Sequence, residues 1–303
     1  MDHRIRPGIT GRLIASIVIL SALTLPAWSA PVKLKVGLMP AVDAAPMLLA
    51  AERGFFAAEG VDVELVVFTN ANERQVALQT GAVDGTITDL VAFVYNVQGG
   101  FDLRIASSTD GSFPFLVRKD YVESTRVRVA MMEVSVSNYL ADAWLRPRYE
   151  LEKIFITEIP ARLEVIKAGK VDMACLPEPI ASMGVLSGLE KREFSNTDDY
   201  YPDILVFTAA AAAKKLDAIR RFNRAVDRAV AELVAEPSLA RALLVEKLKL
   251  DPRVKDMMTL PTWHPTRLPG AEYLAKVSAW IADLQGKPVT LDWSRYLLRA
   301  ALP

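Results

Sequence analysis

Short runs of β-branched and aliphatic residues alternate along the chain with longer stretches whose apolar positions recur every three or four residues, and each change of period marks a new element. A first set predicts strands over Val32–Leu38, Val61–Thr69 and Val83–Thr88 and helices over Ala44–Ala58, Glu73–Thr80 and Leu90–Val97. A second set predicts strands over Arg126–Met131, Lys153–Glu158 and Val171–Leu176 and helices over Val136–Trp144, Ala161–Ala168 and Glu178–Gly184. Strands alternating with helices in this way predict parallel sheets flanked by helices, an α/β fold of two lobes.

The two sets also resemble each other. Lys35-Val36-Gly37-Leu38-Met39 is echoed by Arg128-Val129-Ala130-Met131-Met132, each a basic residue followed by small or branched residues and a closing Met. Ala77-Leu78-Gln79-Thr80-Gly81-Ala82-Val83-Asp84 is echoed by Val165-Ile166-Lys167-Ala168-Gly169-Lys170-Val171-Asp172, with glycine supplying the left-handed end of a helix in both. Beyond them, Ile204–Thr208 reads as a buried return strand, and Leu216, Ile219, Val226, Val230 and Leu233 recur at helical spacing as a core-facing stripe. Pro237 opens a further helix to about Lys249, and Leu274, Val277, Ile281 and Leu284 mark a last one stopped by Gly286 and Pro288. This tail is expected to pack on the first lobe. Short crossings near Leu116–Lys119 and Tyr200–Ile204 form a natural hinge. The expected organisation is residues 1–29 as a signal peptide, 30–118 as the first part of lobe I, 119–203 as lobe II, and 204–303 as the return to lobe I.

The N-terminal segment reads as an export signal. Arg4, Arg6 and Arg12 precede an apolar run from Leu13 to Leu25, and Pro26-Ala27-Trp28-Ser29-Ala30-Pro31 places small residues where a signal peptidase reads. A proline after the cut blocks cleavage, so the cut is expected before Ala30, an uncleaved anchor being the alternative. No cysteine follows to carry a lipid. The expected location is periplasmic.

Composition narrows the chemistry. The 303 residues are 51% hydrophobic and 24% charged, a globular balance, and 36 basic against 36 acidic residues leave no electrostatic footprint for nucleic acid. Removing the signal's three arginines and one aspartate leaves an acidic excess of two. Two histidines, His3 and His264, and one cysteine, Cys175, are too few for a closed zinc site, an iron–sulfur cluster or a disulfide framework, so neither a metal nor another cofactor is expected. No glycine-rich phosphate loop of either standard spacing occurs.

In open α/β sheets ligands sit beyond the carboxyl ends of the strands, so the loops after each strand hold the candidate site. The first lobe offers Pro40 and Asp43, then Asn70 and Asn72 beside a helix start, then Thr88 and Asp89, then Ser107 and Ser108. The second offers Glu133, Ser135, Ser137 and Tyr139 in one loop, Arg162 in the next, and Glu178 held between Pro177 and Pro179. Asp43 reads as a helix cap ahead of a ligand contact, and capping also accounts for Asn72 and Asp89. Arg162 either receives an anion in bidentate fashion or pairs with Glu133 or Glu158.

Taken in order, Val36-Gly37-Leu38-Met39-Pro40, Ala50-Ala51-Glu52-Arg53-Gly54-Phe55-Phe56-Ala57-Ala58-Glu59-Gly60-Val61-Asp62-Val63-Glu64, Leu78-Gln79-Thr80-Gly81-Ala82-Val83-Asp84-Gly85, and Gly169-Lys170-Val171-Asp172-Met173-Ala174 with Pro177-Glu178-Pro179 resemble the substrate-binding proteins of ABC importers in the nitrate/sulfonate/taurine and thiamine-pyrimidine group. The resemblance covers about Val32 to Ile180. It implies a type II periplasmic binding fold, two lobes joined by two crossing strands around a cleft that closes on a small molecule, and delivery to an ABC permease in the inner membrane by a protein expected to be monomeric.

The acids Asp43, Asp89, Glu133 and Glu178 disfavour a bare anion and suit an amine-bearing or heterocyclic ligand, such as a thiamine-precursor-like pyrimidine, stacking on Tyr139 or on the Tyr200/Tyr201 rings. The alternatives are a sulfonate, taurine or nitrate binder, or a cofactor-free enzyme on the same scaffold. The catalytic supply is thin: His264 lies in a proline-rich tail segment and Cys175 in a buried strand, so no catalytic residue is assigned and an enzyme is not expected.

Overall fold

The computed structural model describes residues 1–3, 32–194, 198 and 200–303, so all but the first three residues of the expected signal segment lie outside the described residues. Its strands are β1 (Val32–Leu38), β2 (Val61–Val67), β3 (Gly85–Asp89), β4 (Leu103–Ser108), β5 (Phe115–Arg118), β6 (Arg126–Met131), β7 (Glu150–Phe155), β8 (Met173–Cys175), β9 (Leu189–Arg192) and β10 (Asp203–Thr208). They form two five-stranded sheets, ordered β2-β1-β3-β10-β4 and β7-β6-β8-β5-β9.

Both sheets are mixed, which corrects the expectation of purely parallel ones. In the first, β1 runs parallel to β2 and β3, but β10 lies antiparallel between β3 and β4. In the second, β6 runs parallel to β7 and β8, and β5 lies antiparallel between β8 and β9. Each antiparallel strand enters its sheet from the other lobe, against the direction that helical crossovers impose on the rest. Because β5 already belongs to the second sheet, the chain crosses before Phe115, a few residues earlier than Leu116–Lys119.

The five residues of β3 are all buried, as a central strand covered on both faces requires. Gly85 opens it because a Cβ there would press on the Val206 carbonyl of β10. The predicted helix over Ala44–Ala58 is broken into Ala45–Glu52 and Phe55–Ala58, since Gly54 adopts a left-handed φ of 69° between them. The stripe that begins at Leu216 becomes a helix over Leu216–Ala235, whose Ile219, Phe222, Ala229 and Leu233 pack with Leu34, Val36 and Phe56 under the first sheet. Phe222 stacks on Phe56 with ring centroids 4.9 Å apart and meets Phe207 edge-on at 6.3 Å.

Part of the tail reaches beyond the first lobe. Its last long helix, Ala271–Gln285, ends at Gly286 with a φ of 66°, and places Leu274, Val277 and Ile281 in a core shared by Leu90 and Val94 of the first lobe and Tyr139 and Leu140 of the second. Trp280 meets the Tyr139 ring edge-on and donates its indole N–H to Asp142 at 2.9 Å. No helix among the described residues is long and apolar enough to cross a membrane.

Candidate functional site

The loops that follow β1, β3, β6 and β8 and the helices that follow β2 and β7 converge on one cavity of about 420 Å³ between the sheets. Its walls are largely apolar: Met39, Ile87, Phe101, Phe113, Met132, Val134 and Ile159, with Tyr95 beside them. Its charged groups come from both lobes. Asp43, Arg74, Asp89 and Asp203 belong to the first sheet's side and Arg162 to the second's, all nine-tenths or more buried.

The charges are placed by local structure. Asp89 ends β3 and caps the helix Leu90–Gln98, accepting the Ala92 amide at 2.9 Å, while the Val136 amide of the other lobe also faces it. Asp203 opens β10 and, because β10 is antiparallel to β3, stands directly across from Asp89. Two carboxylates side by side repel each other, and a cation is needed between them. Arg74, on the helix Ala71–Gln79, faces Asp89, Asp43 and Asp203 and donates to the Thr88 hydroxyl at 3.3 Å. Burial raises all three carboxyl groups, Arg74 opposing it, and Asp43 is pushed up to about 7. One oxygen each of Asp43 and Asp203 and the Nε of Arg74 have no hydrogen-bond partner.

Arg162 sits differently. It is 4% exposed, its Nη1 donates to the Cys175 carbonyl at 2.9 Å, and its Nε has no partner. Neither Glu133 nor Glu158 forms an ion pair with it, although the Glu158 charge is felt there. Ser135 and Ser137 close the turn after β6, sharing a hydrogen bond of 2.6 Å between their hydroxyls.

Of the expected residues, Pro40, Asp43, Asn72, Thr88, Asp89, Ser135, Ser137 and Arg162 line this cavity. Asp43 caps no helix, since it lies inside the 3-10 turn Val42–Ala44, and the cap of Ala71–Gln79 is Asn70, not Asn72. Six residues stand elsewhere. Asn70 accepts the Asn72 amide at 2.7 Å and reaches across the mouth of the cleft, donating to Glu158 of the other lobe at 2.6 Å. Ser107 and Ser108 hold the tail, with the Ser108 amide on the Arg267 carbonyl at 2.7 Å, and border a separate pocket of about 30 Å³. Glu133 is exposed. Tyr139 is buried in the shared core against Trp280. Glu178 is fully buried and paired with Lys191, and it accepts the Ser182 hydroxyl at 2.8 Å and the Thr259 amide at 3.1 Å. The acids of the cavity are therefore Asp43, Asp89 and Asp203 rather than the four expected. Nor do Tyr200 and Tyr201 offer a stacking surface to it: Tyr200 stacks on Tyr273, Tyr201 packs on Phe113, and the aromatic walls are Tyr95, Phe101 and Phe113.

The reactive side chains lie away from the cavity. Cys175 is buried in β8 with its thiol pushed up to about 12 by desolvation, and His264 is bound to Asp110, its amide at 2.8 Å and its ring at 3.1 Å. Among the described residues no group of three or more His, Cys, Asp or Glu is arranged to hold a metal.

Arg74 and Asp203 are the charged site residues that the sequence reading omits. A signal for Arg74 exists: the offset of 88 residues between Asp84 and Asp172 carries Arg74 onto Arg162.

Residues 29–117 match the sequence profile of the NMT1-like family. No curated protein sequence matches the chain. Among solved structures, the chain is similar to the ligand-binding component of an ABC-type import system from Staphylococcus aureus, solved with zinc bound, at a TM-score of 0.73 and 12% identity over 88% of this chain and 96% of that one. It is similar to the alkanesulfonate-binding protein SsuA from Xanthomonas axonopodis pv. citri, bound to MOPS, at a TM-score of 0.71 and 16% identity over 91% and 99%. The desulfurization enzyme DSZB shares the fold at a TM-score of 0.64 and 14% identity over 86% and 95%. The chain thus has the two-lobed fold of periplasmic binding proteins, with two mixed sheets flanked by helices.

Proposed function

We propose that this chain, built on the periplasmic binding protein fold, captures a small organic molecule outside the cytoplasm and presents it to an ABC-type permease, and that it does so as a monomeric binder and not as an enzyme. The observation that carries this reading is the cavity of about 420 Å³ at the carboxyl ends of the parallel strands, with charged groups contributed by both lobes. Such a volume lies in the range of small-molecule sites and is many times the ~30 Å³ share of one water, so nitrate alone would leave most of it unfilled. Closure follows from the split of the site: a ligand that touches Asp43 and Asp89 on one side and Arg162 on the other favours the closed state over the open one, and that difference is what a permease reads.

The three buried aspartates support a ligand with an amine or a donor-rich ring, a thiamine-precursor-like pyrimidine among the candidates. The likeness to an alkanesulfonate-binding protein supports a sulfonate as the second reading. Against an enzyme stands the lining itself, which among the described residues pairs no nucleophile with a base: the hydroxyls of Ser135 and Ser137 bond to each other.

The test is thermal unfolding of the chain from Ala30 onward against amines, amino acids, thiamine precursors, flavins, sulfonates and oxyanions, with each compound analysed afterwards for chemical change. A ligand at a hundredfold its dissociation constant adds roughly 2.7 kcal/mol, a rise of several degrees in Tm for a chain of this length. A rise with the compound recovered unchanged is the expected result. Consumption of the compound would replace the binder with an enzyme.

A further inference from the structure

The small pocket of about 30 Å³ lies behind the turn that carries Asp43, between the end of β4, the helix Leu216–Ala235 and the tail loop that holds Trp263 and His264. Asp43 lines both spaces, so one carboxyl stands between the main cavity and this pocket. Part of the pocket's wall is apolar, formed by Pro46, Met47 and Val230. Several of its polar groups are already engaged within the protein. The Ser107 hydroxyl donates to the Ser108 carbonyl at 2.7 Å, the Asn223 amide to the Ala301 carbonyl at 2.9 Å and the Thr266 hydroxyl to Asp227 at 2.7 Å, while Asp110 accepts the His264 amide at 2.8 Å.

Four polar atoms of the lining residues have no partner in the protein: Asp43 Oδ1, Ser108 Oγ, Thr109 Oγ1 and Trp263 Nε1. Asp43, Thr109 and Trp263 are each nine-tenths or more buried, where an unmet polar group is costly. These atoms set the chemistry of a guest. An indole N–H only donates, an ionised carboxylate only accepts, and a hydroxyl does either. One small molecule must therefore accept a hydrogen bond and donate another. A metal cation or ammonium cannot accept from Trp263, and an anion cannot donate to Asp43 and is repelled by Asp110 besides. Water does both, and the pocket exceeds the ~10–15 Å³ that one water needs.

We propose that this pocket is a water-binding site, in which one resident water accepts from the Trp263 indole and donates to the Asp43 carboxyl on the side turned away from the main cavity. The site does not depend on what the main cavity binds. It bears on the charge of Asp43, which is faced by Arg74, Asp110 and Asp203 and by the amides of Asp43 and Ala44, with His264 across the pocket beside Asp110. A water that donates to the carboxylate joins Arg74 and the two amides in favouring the charged form, against burial and the neighbouring acids. Its loss moves the carboxyl further above the ordinary aspartate range.

The experiment is a crystal structure of the unliganded chain from Ala30 onward, a parallel soak in rubidium, and a carbon-13 titration of the aspartate carboxyls. One water within hydrogen-bond distance of Asp43 and Trp263, with no anomalous rubidium signal there, is the expected result. Val230→Ile adds one methylene to the pocket wall and is expected to expel the water and strand its partners, lowering Tm by roughly 2–4 °C and moving the Asp43 midpoint up. Thr109→Val keeps the shape and removes one polar partner, so it should shift both readouts in the same direction by less. A dry pocket behaves oppositely, since filling it raises Tm and leaves Asp43 where it was. That outcome, or a rubidium peak in place of the water, would overturn the inference and leave the binder reading standing.

Discussion

Asp43 shows how one residue couples the cavity to pH. Its carboxyl is pushed up to about 7 because burial disfavours the charged form more than Arg74 favours it. Between the ordinary aspartate range near 3.9 and about 7 the folded chain therefore holds a proton that the unfolded chain has lost. The stability this proton confers is complete below the lower value and disappears as pH rises through the higher one. Asp89 and Asp203 shift in the same direction and add to the slope. The melting temperature of the unliganded protein is expected to fall from pH 5 to pH 8, and Asp43→Asn, which cannot ionise, to flatten part of that decline in a series of thermal melts. At this scale the sequence was only partly legible. Pro40, Asp43, Thr88 and Asp89 follow from the rule that loops after parallel strands face the ligand. Asp203 does not, because it opens its strand instead of following it and reaches the cavity only through the antiparallel pairing of β10 with β3. Arg74 lies on a helix and not in a loop after a strand, so that rule does not reach it, and only the repeat argues for it.

Among the elements, the helix Leu216–Ala235 is the main support of the first sheet. Phe222 is fully buried, stacked on Phe56 and set edge-on to Phe207, so it ties the broken N-terminal helix, the long helix and β10 together. Phe222→Ala leaves a cavity that rigid neighbours on three sides cannot fill, and a loss of about 3–5 kcal/mol is expected in urea unfolding. Elements of this kind were the most readable part of the chain. β1, β6 and the helix Val136–Trp144 fall on their expected residues because their apolar runs start at a polar or turn residue and give way to one, Pro40, Glu133 or Arg146, within two residues of their ends. The strand expected over Lys153–Glu158 instead occupies Glu150–Phe155, since pairing with β6 sets its register and the local pattern, with charged residues at Glu150, Glu152 and Lys153, gives no sharp start. Strand direction was not readable at all from local pattern, as it depends on which lobe a segment comes from.

For the whole molecule the two sheets' sides meet at the mouth through Asn70 and Glu158 and deeper in through the Val42 amide on the Glu178 carbonyl at 3.0 Å. The mouth contact is exposed and modest, so Glu158→Ala is expected to weaken ligand binding about two- to tenfold. Asn70→Asp keeps the helix cap but sets two carboxylates against each other, and should weaken binding further with little change in Tm, together with a larger radius of gyration in small-angle scattering. The place of β10 has a different consequence. The second sheet is complete within residues 115–192, whereas β3 and β4 of the first have no common partner until Asp203–Thr208 exists. The order of synthesis is thus the reverse of the order of completion, and the lobe begun first is finished last. A chain ending at residue 202 is expected to protect amides of β5 to β9 from hydrogen exchange while those of β3 and β4 exchange freely. On the export proposed above, with the N-terminus threaded first, that delay would keep the leading lobe pliable until two-thirds of the thread has passed.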